Sequence, residues 1–162
     1  MTVSRLIIKM TEFLNGNQKD ICHFLKVWAY AKTIGDAEIA DAETRFILEA
    51  AAVVHDIACP FLREKLGRAD GKNQELYGDG IVRDFLKDTD LSPAQIDRIA
   101  FLVAHHHTVE NVEGMDWRIL LEADYLVNAG ECGFDKAHIR RTLDAMFETQ
   151  TGRQLLRSIY GV

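Results

Sequence analysis

The residues best suited to chemistry begin with residues 49–56, EAAAVVHD, where small and apolar side chains lead into an adjacent histidine and aspartate. The pattern breaks at Cys59 and Pro60. Proline lacks a backbone donor and disfavours helix in the residue before it, so the helix carrying this run is predicted to end near Ala58. His55 and Asp56 then stand side by side in its last turn. Burying even an uncharged polar group without a partner costs roughly 2–7 kcal/mol. A divalent metal ion would satisfy both side chains, because imidazole nitrogen and carboxylate oxygen are common ligands. The plainer alternative is a surface dipeptide, with the histidine favoured by the negative end of the helix dipole.

Three other places invite the same question. His23 lies beside an apolar stripe of Ile21, Leu25, Trp28 and Ala29; alone, a histidine there reads more simply as a satisfied core residue. His105, His106 and His107 follow an apolar stretch, and at least one of them is expected to face the same polar pocket as His55. Asp124 sits among Ala123, Leu126 and Val127, where a carboxylate needs a basic residue or a metal as partner. Glu122 is expected on a different face. Between these positions the segment FLREKLGRADGKNQ carries Arg63, Lys65, Arg68 and Lys72, either a solvated loop or a set of cations for an anionic substrate.

The elements that must position these groups all read as helices. Apolar spacing predicts helices over 3–14, 17–34 and 41–58, with Gly16 and Gly35 as stops and Asp41 as an N-cap. A short turn and loop over 60–73 precede a helix over 74–86. Ser92-Pro93-Ala94-Gln95 forms a capping box for a helix running into the three histidines. Further helices are predicted over 115–129, 136–147 and 150–159. With 162 residues, 48% hydrophobic, and only two prolines, the chain is expected to be an all-α, compact single-domain helical bundle. Its net charge of −6 argues against general nucleic-acid binding. Three cysteines without a CxxC pair suit reduced thiols in a cytoplasmic protein. The first apolar run, interrupted by Lys9 and Glu12, is neither a signal peptide nor a membrane span. One core accounts for the apolar content, so a monomer or weak homodimer is expected.

Taken in order, His23 in HFLKVWAYA, the pair in EAAAVVHDIA and Asp124 in LLEADYLVNAGE resemble the HD-domain superfamily, named for that His-Asp pair. KNQELYGDG, HHHTVENVEGMDW and FETQTGRQLL look like a small subgroup of bacterial single-domain HD proteins, so the resemblance covers nearly the whole chain. It implies a single HD domain over residues 1–162, with a metal-binding core at about 17–130 and C-terminal helices at 135–160 packed on it. It implies one divalent metal (Mn, Fe, Co, Ni, Zn or Mg) held by His23, His55, Asp56 and Asp124. The implied activity is hydrolysis of a small phosphorylated molecule, possibly a nucleotide. Arg63, Lys65 or Lys72 would then stabilise phosphoryl charge, while His106, from the triple-histidine run, orients water or protonates the leaving oxygen.

Two departures leave other readings open. HD proteins with two metals usually carry a further histidine in the helix after the pair and a lysine close to it. Here that helix reads QELYGDG, and Cys59 stands near the lysine position. Glu75, His106 and His107 form a possible second metal site in compensation. A non-catalytic metal- and nucleotide-binding module is the alternative function, and a dinuclear iron oxygenase the third.

Overall fold

Nine helices and no strand make up the computed structural model, which describes residues 1–162. In chain order they are α1 (Val3–Leu14), α2 (Gln18–Glu38), α3 (Ala42–Val54), α4 (Cys59–Leu66), α5 (Gly71–Leu86), α6 (Pro93–Val103), α7 (Met115–Glu131), α8 (Lys136–Ala145) and α9 (Gln150–Tyr160). The all-α expectation is met. None of the helices is long and apolar enough to cross a membrane.

Most boundaries follow local chemistry. Thr2, Asn17, Asp41, Asp70, Ser92, Asp135 and Thr149 each cap a helix by accepting a backbone N–H through the side chain. Each satisfies one of the orphan amides of a first turn. Ser92 and Gln95 form the reciprocal capping box that the sequence specifies.

Four boundaries differ from expectation, for physical reasons. α2 continues through Gly35 to Glu38. That glycine is a close approach rather than a stop: a Cβ on it would lie 2.9 Å from Leu48 Cδ2 of α3. α3 ends at Val54, four residues early, because Pro60 occupies the first turn of α4, where a missing N–H costs nothing. Residues 55–58 form the intervening turn, closed by Ile57 N–H to Val54 O at 3.0 Å and Cys59 N–H to Asp56 O at 2.9 Å. The stretch after Pro60 is mostly helical, since α4 runs eight residues and Asp70 starts α5 earlier than predicted. α6 stops at Val103, so the three histidines occupy a turn beyond it, with Thr108 N–H bonded to His105 O.

The core is organised around α3. Ala50, Ala51, Ala52, Val53 and Val54 are all fully buried, because α1, α2, α6 and α7 pack around this helix. Small side chains there let the surrounding helices come close, and the turn leaving α3 delivers His55 and Asp56 into the interior. α2 and α7 pack against each other alongside. α7 is buried on two sides, and two of its buried carboxylates, Glu122 and Asp124, are two residues apart and hence on opposite faces. Glu122 accepts from Glu148 N–H, Thr149 N–H and Thr149 hydroxyl, which pins the start of α9. Asp124 faces α2 and α3.

Candidate metal centre

Three segments meet at one point. α2 supplies His23, the turn after α3 supplies His55 and Asp56, and α7 supplies Asp124. His23, His55 and Asp124 are buried, while Asp56 retains a quarter of its side-chain exposure. His55 Nδ1 lies 2.9 Å from Ala52 O. A carbonyl only accepts, so the ring proton is on Nδ1 and the Nε2 lone pair points inward. His23 is oriented by a carboxylate, with Nδ1 3.0 Å from Glu131 Oε2, and the other Glu131 oxygen takes the Lys26 ammonium. Its Nε2 also points inward. Such outer hydrogen bonds fix the tautomer and raise the basicity of imidazole ligands.

The inward atoms are crowded together. His23 Nε2 and His55 Nε2 stand 3.3 Å apart. Asp124 Oδ1 is 3.2 Å from the first and 3.5 Å from the second. Asp56 Oδ2 is 3.5 and 3.7 Å from the same nitrogens. Asp124 Oδ2 accepts from Asn128 at 2.8 Å, but Oδ1 is buried with no hydrogen-bond partner, the 3.2 Å approach of His23 being off-line. Ligand bonds of about 2.1 Å give donor–donor edges of about 3.0 Å in an octahedron and about 3.4 Å in a tetrahedron. The observed 3.2–3.7 Å spacings fit a divalent cation.

Charges without the cation tell the same story. Burial pulls His23 down, but the Asp124 carboxylate beside it and the Asp56 charge outweigh it and raise the imidazole to about 9. Burial opposes ionisation of Asp56, yet His55, His106 and His23 hold its carboxyl far below the usual range. Asp124 is likewise held low against its burial, by the His23 and His55 imidazoles beside it. Burial and then the Asp56 charge push the Cys59 thiol well up, so it is no nucleophile.

The triple-histidine turn divides its labour. His105 turns away, stacking on Phe101 with ring centroids 4.2 Å apart and bonding Phe101 O. His106 is buried with Nε2 3.5 Å from Asp56 Oδ1 and Nδ1 bonded to Val103 O at 2.7 Å. Gln74 Oε1 lies 3.1 Å from His106 Nε2 and 3.0 Å from His107 Nε2. Asp56, His106 and His107 form a second group of donors within 4.8 Å of one another. The structure does not bring Glu75 into it: one Glu75 oxygen accepts from the His107 backbone N–H and the Thr108 hydroxyl. As adjacent residues of a helix, Gln74 and Glu75 face different ways, and the neutral one faces the centre.

A polar cleft of about 660 Å³ opens onto His23 and Asp56, with Lys19, Asp20, Cys59, Arg63, Arg68 and Gln74 among its walls. Arg63 reaches the cleft, but its guanidinium is forked onto Asp20 at 2.5 and 2.9 Å. Lys65 lies over the Phe61 ring and Lys72 is exposed; neither lines the cleft. The isolated-residue reading missed Lys19, Asp20, Gln74, Asn128 and Glu131. Helical spacing could have found several, because Asn128 and Glu131 follow Asp124 by four and seven residues, and Lys19 precedes His23 by four.

The sequence matches the HD domain over residues 20–139, and the chain belongs to that family. Its fold is similar to the crystal structure of a predicted HD superfamily hydrolase from an uncultured Thermotogales bacterium. The TM-score is 0.70 at 20% identity, and the alignment covers 98% of this chain and 84% of the other. No curated protein matches the chain in sequence.

Proposed function

We propose that the chain is a metal-dependent hydrolase of a small phosphorylated molecule. The observation that carries this reading is the convergence of two imidazole nitrogens and two carboxylate oxygens, one of them buried and unpaired, at the foot of a polar cleft. His23, His55, Asp56 and Asp124 would hold a divalent ion, which would supply Lewis acidity toward a phosphoryl oxygen and a water.

The chain's own residues do the rest. Glu131 and Ala52 O hold the ligand rings in the productive tautomer. Asp56 turns one oxygen to the centre and the other to His106, which places an imidazole N–H beside the reaction site for delivery to a leaving oxygen. Lys19 and Arg68, on the cleft wall, attract and hold an anionic substrate, while Arg63 braces Asp20 beside them. The family membership and the similarity to a predicted HD superfamily hydrolase support the same reading.

The test is phosphate release by the metal-loaded protein across a panel of phosphate esters that includes nucleotides. Turnover is expected, and Asp56→Ala is expected to lower kcat/KM at least about 100-fold, the upper end of what loss of an outer partner costs. Unchanged turnover in that variant would sink the assignment. Bound metal with no turnover on any ester would instead make the chain a non-catalytic binding module.

A further inference from the structure

The centre opens on two sides. Beside the polar cleft lies a second cavity of about 460 Å³, with Asp124 and His106 in its wall next to Leu121, Tyr125, Phe134 and Met146. Ala69, Gln74, Asn128 and Cys132 line both cavities, so the two adjoin at the centre. The ligand set divides between them: His23 and Asp56 line the cleft and Asp124 lines the chamber. Their chemistry differs. The cleft carries Lys19, Arg63 and Arg68, whereas the chamber has no lysine or arginine, and its one carboxylate is Asp124. A second phosphate group would find no cation there.

Three rings in the chamber wall are nearly aligned. Tyr125 and His138 are 8° from parallel, and Phe134 is 28° from His138 and 31° from Tyr125. Their centroids lie 4.4 to 6.4 Å apart. Aromatic rings pair in offset stacks at such spacings, so a further flat ring extends the set favourably. Leu121 and Tyr125 flank Asp124 on α7, three residues before it and one after. The apolar wall therefore begins at the centre itself, and the place for a ring is next to the ester oxygen, without a sugar between them.

We infer that this chamber receives the organic half of the substrate, a phosphate monoester of an alcohol that bears an uncharged flat ring beside its oxygen, of the benzyl type. The inference rests on the proposed hydrolysis and names its substrate class. A water oxygen bonds to phosphorus as the bond from phosphorus to the alcohol oxygen breaks. The alcohol oxygen gains the proton that the water gives up overall, leaving inorganic phosphate on the cleft side and the alcohol in the chamber.

Binding tests this apart from turnover. Metal-loaded protein is titrated calorimetrically with phenethylphosphonate, the non-hydrolysable counterpart of benzyl phosphate, and with ethylphosphonate, which lacks the ring. The ring is expected to tighten binding about tenfold or more. Phe134→Ala should remove most of that advantage. Val109→Asn, at a chamber side chain exposed enough for folding to tolerate the change, should reduce it, with ethylphosphonate affinity unchanged in both variants. Equal affinity for the two phosphonates, no binding of either, or an advantage that survives both variants would overturn the inference. In parallel, kcat/KM for benzyl phosphate is expected to exceed that for glycerol phosphate, whose alcohol is of similar basicity, and that for a nucleoside monophosphate. An equal or reversed order would overturn the inference and leave the proposed hydrolysis standing. Ring-dependent binding without hydrolysis of any ester would defeat the proposed function and uphold the chamber as the seat of the ring.

Discussion

Chelator-treated protein is predicted to lose stability as the pH rises from about 6.5 to about 9. The cause is His23, whose imidazole is raised from 6.5 to about 9 by Asp124 and Asp56 against the opposing pull of burial. Between those values the folded state keeps a proton that the unfolded chain has given up. The stabilisation is fully present below the unfolded value and is lost as the pH passes through the folded one. The difference of about 2.5 pH units corresponds to roughly 3 kcal/mol at 1.36 kcal/mol per unit. His55 is raised for related reasons and adds in the same direction. Asp56 and Asp124 titrate far below this window. His107, lowered to about 4 chiefly by burial, has its effect at lower pH. With a urea m-value of about 2 kcal/mol/M, the unfolding midpoint of the metal-free protein should fall by roughly 1.5 M between pH 6.5 and 9. His23→Gln should flatten the profile. Because a metal takes the lone pair that this proton occupies, apparent metal affinity should tighten up to about tenfold per pH unit over the same range. A flat or rising stability profile, or an unchanged slope in His23→Gln, would refute the reasoning.

Two further outcomes separate functional from structural carboxylates. Glu131→Ala, which frees His23 Nδ1, is expected to weaken metal binding about 10–100-fold by equilibrium dialysis while moving the thermal midpoint little. Gly152→Ala is expected to act the other way, because a Cβ there would collide with Glu122 Oε2 and Thr149 Oγ1. Displacing a buried carboxylate that accepts three hydrogen bonds should cost about 2–4 kcal/mol, or about 5–15 °C in thermal midpoint at this chain length, with metal content unchanged. Calorimetry and elemental analysis of the same sample check both halves.

The fold was legible wherever period and caps agreed. Ser92 with Gln95, Asp41, and the apolar stripes of α1 and α7 specify helices through local bonds alone. Gly35 and Pro60 misled because each has two local meanings, and tertiary packing chooses between them: Leu48 needs the space at Gly35, and Pro60 suits a helix start as well as a stop. The four central residues drew attention because a buried histidine or aspartate is costly unless something holds it, and the resemblance to the HD family joined them into one set. Their surroundings were harder to read. Arg63 and Asp20 pair across 43 residues, and His23 meets Glu131 across 108, neither of which helical periodicity encodes. Gln74 rather than Glu75 faces the centre because α5 starts at Gly71 under the Asp70 cap, and a start displaced by one residue rotates the whole face.

The most direct measurement is the metal content of protein purified without chelator or affinity tag, beside an Asp124→Ala variant shown to be folded by circular dichroism. The account predicts one equivalent of divalent metal in the wild-type chain and a loss of most of it in the variant, since the buried Asp124 Oδ1 has no partner but the metal. A wild-type chain that stays folded while refusing every divalent ion offered, or a variant that keeps its metal, would contradict it.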